Sequence, residues 1–219
     1  MKILIIAPHP DDEVLGCGGT IIKHSQKGDD AYLCIVTKGY GPDWSEQYLR
    51  EEKTAIKKSN SLLGIKKTYF LDFLTAKLDT FPQKELNDSV FKVVKEVKPE
   101  IIFLPHPGDL NKDHRLVFEA GMFAAKPVFG SSVKKVLCYE VLSETEWGSP
   151  LERNFIPNTY IDISDVLKDK LKAMSCYGNE LKEYPHPRSL EAIEALAKKR
   201  GAEAGLKASE AFALIREII

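Results

Sequence analysis

The chain has 219 residues, of which 43% are hydrophobic, and carries a formal net charge of −1 at pH 7. This length suffices for one α/β domain with a sizeable core, and we expect residues 1–219 to form a single domain. A charge this close to zero argues against nucleic acid or an anionic membrane surface as a partner. The sequence shows neither a signal peptide nor an apolar run of membrane-spanning length, so we expect a cytoplasmic protein without an integral membrane segment.

Strand and helix patterns alternate along the first two thirds of the chain. The predicted strands are Lys2–Ala7, Ala31–Thr37, Thr68–Leu71, Glu100–Leu104 and Lys135–Glu140. The predicted helices between them are Val14–Lys27, Glu46–Leu63, Gln83–Val97 and Arg115–Ala125. This alternation predicts a Rossmann-like α/β fold, in which a mostly parallel, twisted sheet with strand order 3-2-1-4-5 carries helices on both faces.

The last third of the chain departs from this alternation. Helical spacing predicts helices over Lys168–Tyr177, Ser189–Arg200 and Ala208–Ile218, and Tyr160–Ile163 predicts a short edge strand. We expect these C-terminal helices to fold over the sheet. The charge run Glu180–Glu183 is expected to be a solvated surface.

The most informative segment is Ala-Pro-His-Pro-Asp-Asp-Glu, which directly follows the first predicted strand. It places His9, Asp11 and Asp12 at the carboxyl edge of the sheet, where open α/β sheets bind their ligands. Pro8 and Pro10 fix the backbone on both sides of the histidine. Neighbouring side chains of an extended segment point in opposite directions, so one aspartate can bind a metal while the other addresses substrate or water.

A second cluster has the same construction about a hundred residues later. The predicted strand Glu100–Leu104 is followed by Pro-His-Pro, then by Asp109, Asn111, Asp113 and His114. Because the carboxyl ends of parallel strands lie at one edge, the two clusters can converge. Two histidines and one aspartate make a three-ligand set with an open position, as catalytic zinc requires, and they also suit Fe²⁺.

These motifs resemble the LmbE/PIG-L family of zinc-dependent de-N-acetylases. The residues that carry the resemblance are 8–13, 18–20, 37–39, 63–64, 109–114 and the tail containing Arg200, Gly201, Gly205 and 210–212. The resemblance implies that His9, Asp12 and His114 hold Zn²⁺ and that Asp11 is the general base. It further implies hydrolysis of an N-acetylated amino sugar or sugar conjugate to a free amine and acetate.

One position departs from the family pattern. Many members carry a histidine, proposed to stabilise the oxyanion or protonate the amine, where this chain has Asn111. Asparagine can donate a hydrogen bond to an oxyanion but cannot supply a proton near neutral pH. Either Asp11 performs both proton transfers, or His106 or His186 enters the site, and we favour a role for His106. Asp113, beside His114, is expected to orient an imidazole.

Several further residues are candidates for substrate binding. Trp147 offers an apolar face to a sugar ring and Glu146 can accept hydroxyl hydrogen bonds, although Trp147 also suits ordinary packing under a loop. His186 and Arg188 lie in a proline-stiffened loop that reaches either the site, a neighbouring subunit's site or only the turn before the next helix. Arg50 is a further candidate, from the helix after the second strand. Because the loop with His186 and Arg188 could reach a neighbouring subunit's site, a homo-oligomer is one possible state of this protein.

Other functions fit the same residues less well or remain open. A nucleotide-binding Rossmann module is a poor fit, because carboxylates directly after the first strand would repel a pyrophosphate. A non-catalytic, metal-retaining carbohydrate-binding protein remains an alternative, since Asn111 replaces a proposed catalytic group. An amidase acting on a thiol-linked amino-sugar conjugate is the alternative within the enzyme class.

Overall fold

The computed structural model describes residues 1–149 and 153–219. Within this part of the chain, seven strands form one sheet. In chain order they are β1 (Lys2–Ala7), β2 (Asp30–Lys38), β3 (Ile65–Leu74), β4 (Ile101–Pro105), β5 (Lys135–Tyr139), β6 (Thr159–Asp162) and β7 (Ser209–Glu217). Their order across the sheet is β3-β2-β1-β4-β5-β7-β6. The first five strands are parallel, so the predicted order 3-2-1-4-5 is confirmed.

In the described ranges, six α-helices cover both faces of this sheet, as the alternation predicts. They are α1 (Asp12–Gln26), α2 (Glu46–Leu63), α3 (Gln83–Val97), α4 (Lys112–Ala124), α5 (Leu167–Met174) and α6 (Leu190–Glu203). One face carries α3 and α4, which pack together, and α1, α2, α5 and α6 pack with one another on the other face. A buried core therefore lies on each face of the sheet, and β1 contributes side chains to both. Ile3 and Ile5 belong to one core, and Leu4 and Ile6 belong to the other. Burial on both faces is why β1 is a continuous apolar run.

The prediction of a helix over Ala208–Ile218 is wrong, because this segment forms β7. It pairs antiparallel with β5 on one side and β6 on the other, so both rows of its backbone groups are bonded. Its side chains alternate between the faces, and Phe212 packs edge-on against Phe103 at 5.2 Å between ring centroids. The pairing of this segment with two strands outweighs the helical spacing of its apolar residues. The edge strand predicted at Tyr160–Ile163 is present as β6.

The sheet order places two strand ends side by side. β1 pairs with β2 on one side and with β4 on the other, so the strand order reverses between β1 and β4. The helices α1 and α4 begin at the carboxyl ends of these two strands. A crevice at such a reversal is where open α/β folds bind ligands. Among the described residues, no helix has both the length and the apolar composition that crossing a membrane would need.

Candidate active site

Three potential metal ligands meet where β1 and β4 end. His9 follows β1, Asp12 is the first residue of α1, and His114 lies in the first turn of α4. The distances are 3.4 Å from His9 Nδ1 to Asp12 Oδ2, 3.3 Å from His114 Nε2 to Asp12 Oδ2, and 3.3 Å between the two ring nitrogens. A tetrahedral site with ligand bonds of about 2.0–2.1 Å separates its ligand atoms by about 3.3–3.4 Å. The spacing therefore matches a small divalent ion.

The aspartate of this set has an unused oxygen. Oδ2 of Asp12 accepts a hydrogen bond of 2.8 Å from the backbone N–H of His9, whereas Oδ1 is buried without a hydrogen-bond partner among the described residues. A buried carboxylate oxygen left unsatisfied is costly, and coordination to a cation would satisfy it. The orphaned oxygen and the spacing together show that the residues fit a metal ion.

Both histidines are held by a second carboxylate. His9 Nε2 lies 3.2 Å from Asp113 Oδ2, and His114 Nδ1 lies 2.8 Å from Asp109 Oδ2. Asp113 is fixed in turn by backbone N–H donors of the segment after β3, and Asp109 by the hydroxyl of Thr145. Such carboxylates select the tautomer that leaves the opposite nitrogen free for a metal. The sequence suggests this role for Asp113 and gives no separate sign of it for Asp109.

The electrostatics of the three residues are tightly linked. Burial lowers the pKa of His9, but hydrogen bonds to Asp113 and Asp12 outweigh it and raise that pKa to about 9. Burial likewise lowers the pKa of His114, and the charge of Asp12 with the Asp109 hydrogen bond raises it to about 10. The surrounding carboxylates thus favour positive charge at this point, which a divalent cation would supply in place of protons.

Asp11 lies beside this set in a strained conformation. Its φ of 105° is unusual for a residue with a side chain, and it is 1% exposed. Its N–H donates to Glu13 Oε2 at 3.0 Å, and the other oxygen of Glu13 accepts from the hydroxyl of Tyr177 at 2.7 Å. Strained backbone of this kind costs about 1–3 kcal/mol and persists where surrounding contacts enforce it. Glu13 and Tyr177 supply such contacts.

The carboxylate of Asp11 is held by an arginine from the far end of the chain. Arg188 Nη1 lies 3.1 Å from Asp11 Oδ2 and 2.9 Å from Glu180 Oε2, and Arg188 Nε donates to Ser143 at 2.8 Å. Burial raises the pKa of Asp11 well above its ordinary value, and the charge of Arg188 opposes that rise. Asp11 is therefore a buried carboxylate whose basicity exceeds that of a surface aspartate, as a general base requires.

The Tyr177→Phe variant tests whether this tyrosine supports Asp11. We expect a loss of about 1–3 kcal/mol in the free energy of unfolding, because a buried carboxylate loses a donor. We also expect a lower kcat for the amide hydrolysis in which Asp11 is the expected general base, because the Asp11 backbone loses support. KM and metal content should be unchanged. The control is Tyr160→Phe, whose hydroxyl bonds Glu203 on the surface and whose removal should change stability by less than about 0.5 kcal/mol. Equal effects on kcat in both variants would contradict the assignment.

A cavity of about 180 Å³ opens above these residues. Its wall combines His9 of the metal set, the Asp11 network and aromatic residues that follow β2; the lining residues are His9, Pro10, Asp11, Gly39, Trp44, Tyr48, Glu52, Thr75, Asn111, Glu144, Glu180 and Arg188. Asn111 caps α4 through its side-chain oxygen, which accepts from the N–H of Asp113 at 3.0 Å. Its amide nitrogen has no hydrogen-bond partner among the described residues, and a donor at this position can serve the cavity that Asn111 lines.

His106 does not line this cavity, despite the role favoured for it from the sequence. Its Nε2 lies 2.9 Å from the carbonyl oxygen of Arg153, and its ring packs edge-on against Phe155. The two prolines that flank it therefore direct the ring under a neighbouring loop. No imidazole besides His9 lines the described part of the cavity.

Of the other residues predicted to bind substrate, one lines the cavity and the rest lie outside its lining. Arg188 reaches the cavity, but its Nε and Nη1 donors are engaged by Ser143, Asp11 and Glu180. Trp147 is 51% exposed and packs edge-on against His186 outside the cavity lining, and Glu146 accepts from the N–H of Ser143. Arg50 pairs with Glu46 on the exposed side of α2 and does not line the catalytic cavity.

Several lining residues were not identified from the sequence. Tyr48 and Glu52 lie four residues apart and share the face of α2 that borders the cavity, with Trp44 just before the helix. The four-residue spacing of Tyr48 and Glu52 indicates a shared helix face, and it could have identified both residues from the sequence. Glu180 belongs to the charge run predicted to be solvated, and this prediction is wrong for Glu180, which faces the cavity and binds Arg188. The charge pattern of the run gives no sign of its contacts with Tyr48 on α2 and with Arg188 eight residues later.

A hydrolase with a ligand set that could hold a metal ion is the class that this sheet edge and buried carboxylate fit. The chain belongs to the GlcNAc-PI de-N-acetylase (PIG-L) family, whose sequence profile matches residues 4–125. It is 31% identical over 202 residues to a diacetylchitobiose deacetylase from Thermococcus kodakarensis, a match covering 83% of this chain and 71% of that protein.

Solved structures share the fold at lower identity. The N,N'-diacetylchitobiose deacetylase from Pyrococcus horikoshii superposes with a TM-score of 0.79 at 24% identity, covering 98% of this chain and 84% of that one. The 4-carboxy-2-hydroxymuconate hydratase GalB from Pseudomonas putida KT2440 also gives a TM-score of 0.79, at 18% identity, covering 100% and 97%. Because a hydratase shares it, the fold alone does not define the reaction.

Proposed function

We propose that this protein is a zinc-dependent N-deacetylase that removes the acetyl group from an N-acetylated amino sugar or its conjugate, releasing acetate and a free amine. The observation that carries the proposal is a His-Asp-His set of tetrahedral spacing beside a separate buried carboxylate, with His9 of that set and Asp11 lining one cavity. Membership of a de-N-acetylase family and likeness to a diacetylchitobiose deacetylase support it.

The metal would be held by His9, Asp12 and His114. When bound, a divalent ion supplies Lewis-acid polarisation of the amide carbonyl and lowers the pKa of water from 15.7 to about 7. Asp11 takes the proton of the attacking water and returns it to the departing amine nitrogen, so that one carboxylate acts first as base and then as acid. Protonated Asp11 can serve as the acid because its burial favours the neutral form.

Neighbouring residues position these groups. Arg188 holds the Asp11 carboxylate through Nη1 and is itself fixed by Glu180 and Ser143. The amide of Asn111 donates toward the oxygen that develops negative charge at the acetyl carbon. Asp113 and Asp109 hold the two imidazoles. With His106 packed elsewhere, Asp11 carries the proton in both steps.

Acetate release tests the proposal against its alternatives. Purified protein loaded with one equivalent of Zn²⁺ is incubated with N-acetylglucosamine, N,N'-diacetylchitobiose and an amino-sugar conjugate whose amide carries a thiol-bearing acyl group, and both acetate and free amine are measured. We expect equal amounts of the two products, lost on chelation and restored by Zn²⁺. Sugar binding without acetate would indicate a binding protein. Free amine released from the thiol-linked conjugate alone, without acetate, would indicate the amidase.

The Arg188→Met variant tests the support of the base. Burial raises the pKa of Asp11 and the Arg188 charge lowers it, so removing that charge moves the pKa further up. Asp11 is then protonated over a wider pH range, and we expect the acid limb of the kcat profile to shift to higher pH. The control is Arg115→Met, an exposed arginine on α4, which should leave the profile unchanged. An unshifted acid limb in Arg188→Met would contradict this role.

A further inference from the structure

A large apolar cavity lies at the edge of the sheet opposite the candidate active site. It has a volume of about 610 Å³, and its walls are the second half of α3, the end of α4 and the turn that follows α4. His114 stands in the first turn of α4, whereas Phe123 and Ala124 line this cavity from the last turn. At a rise of 1.5 Å per residue, about 14 Å of helix separate Phe123 from His114, so the cavity is distinct from the catalytic one.

Apolar side chains of this cavity are exposed together. Phe91 and Val128 are exposed, and Phe129 is fully exposed. Phe129 is the second residue of a β-turn in which the N–H of Ser131 donates to the carbonyl oxygen of Val128 at 2.9 Å. Gly130 supplies the positive φ of the third position, 84°. The turn therefore holds the phenyl ring away from the rest of the chain, and a contiguous exposed apolar patch of this kind is typical of a binding site.

The charges at this cavity are positive and unpaired. Lys95, Lys98 and Lys126 line it, and within residues 1–149 and 153–219 none of their ammonium groups has a carboxylate or hydrogen-bond partner. Lys126 Nζ lies 3.9 Å from the centroid of the Phe123 ring, so one ammonium stands directly on the apolar wall. Asp88, the carboxylate of the described lining, is paired with a lysine one turn earlier on α3. The cavity therefore combines an apolar wall with unneutralised positive charge.

These observations favour a small ligand as the occupant. Pockets for small molecules measure about 300–1,000 Å³ and are mainly apolar, with a few polar groups that orient the ligand. This cavity matches that description in both volume and lining. A second copy of the chain would bring the same lysines face to face, and like charges oppose such a pairing. A flat membrane surface would meet the projecting Phe129 but would not fill a concave space.

We propose that this cavity binds a small amphipathic anion, a molecule with an apolar body and one anionic head such as a phosphate, sulfonate or carboxylate. The apolar body packs against the phenylalanine rings of α3, α4 and the turn, and its burial removes apolar area from water. The anionic head accepts charge-assisted hydrogen bonds from the lysines, among which Lys126 already stands on the apolar wall. The site uses no residue of the His-Asp-His set and is independent of the proposed deacetylation.

Calorimetric titration with two anionic probes tests this proposal. Decyl phosphate and 1-naphthyl phosphate carry the same head on a flexible and on a rigid apolar body, and both are used as monomers, below the concentration at which they form micelles. We expect saturable binding of at least one probe, with its uncharged counterpart (decanol or 1-naphthol) bound at least about tenfold more weakly, the effect of about 1.4 kcal/mol. Binding should weaken as salt is added, because salt screens exposed charges. Binding of neither probe, or equal binding of the uncharged counterpart, would overturn the proposal.

Two variants locate the binding. Phe129→Ser should weaken the bound probe about tenfold, because the ligand loses an apolar wall. Lys126→Met keeps the apolar stem and removes the charge, and should weaken it about threefold, on the scale of one exposed ion pair. The matched controls are Phe70→Ser, an exposed phenylalanine of β3, and Lys57→Met, an exposed lysine of α2, neither of which lines this cavity. An unchanged Kd in either cavity variant, or equal weakening in its control, would contradict the assignment.

Two further comparisons separate this site from the metal set and from a membrane. The Kd of the probe should be the same with and without Zn²⁺, and a probe that binds only in the presence of zinc would belong to the His-Asp-His set instead. Vesicles of phosphatidylcholine and phosphatidylglycerol provide the second comparison. Association of the chain with these vesicles, without binding of either monomeric probe, would assign the exposed patch to a membrane surface and overturn the proposal. Because no comparison here measures turnover, these outcomes are independent of whether the chain releases acetate.

Discussion

The Asp11→Asn variant is expected to lower kcat at least about a hundredfold, the usual scale for loss of a positioned general base. The amide keeps the shape of the carboxylate and can still accept from Arg188, so the local structure should persist. What it cannot do is take a proton from water. Because Asp11 contributes no atom to the His-Asp-His set, the metal content should remain at about one ion per chain.

The neighbouring aspartate supplies the contrast. Asp12→Asn removes the negative charge from the oxygen that lies 3.3 Å from His114 Nε2 and 3.4 Å from His9 Nδ1. We expect this variant to lose metal, as measured by elemental analysis after dialysis, and to lose activity as a consequence. If Asp11→Asn also lost metal, or Asp12→Asn retained it with low activity, the assignment of separate roles to these neighbours would be wrong.

The His114→Ala variant has the second large expected effect. His114 is completely buried and supplies one of three candidate ligand atoms, and no other described side chain is placed to replace it. We expect metal content to fall from about one ion per chain to a small fraction of that, with acetate release falling in proportion. His9→Ala should behave in the same way.

A histidine outside the site is the matched control for this loss. His24 lies near the end of α1 and bonds Asp29 at 2.7 Å, away from the carboxyl ends of β1 and β4. His24→Ala should therefore retain the full metal content. Full retention in both His9→Ala and His114→Ala would defeat the ligand assignment, whatever the activity of the variants.

The strand order through β5 and the meeting of the two ligand-bearing segments were predictable, because both follow from the alternation of strands and helices along the chain. Each ligand-bearing segment is a strand, a short loop and a helix start, and both lie on neighbouring strands of a parallel sheet. Strand alternation therefore indicates that His9, Asp12 and His114 can meet, and the structure places them together. The same reasoning gives the sheet order through β5, because each connection is a local crossover.

What sequence reasoning missed depends on segments that return from far along the chain. The strand β7 is stabilised by its pairing with β5 on one side and β6 on the other, whereas the spacing of its own apolar residues resembles that of a helix. Glu180 accepts from Tyr48 across 132 positions of sequence, and from Arg188, eight positions later, across a loop whose path the sequence does not reveal. The exposed Trp147 and the cavity-lining Trp44 have equal chemical suitability for a sugar, and only the path of the loops separates them.

A zinc titration of the metal-free protein tests the central claim most directly. The initial rate of acetate release from N,N'-diacetylchitobiose is measured as Zn²⁺ is added in fractions of an equivalent. One His-Asp-His site per chain predicts a rate that rises linearly and stops rising at about one equivalent, with no rise in His114→Ala. A rate independent of zinc, or an equal rise in His114→Ala, would contradict the claim that these residues hold the ion on which deacetylation depends.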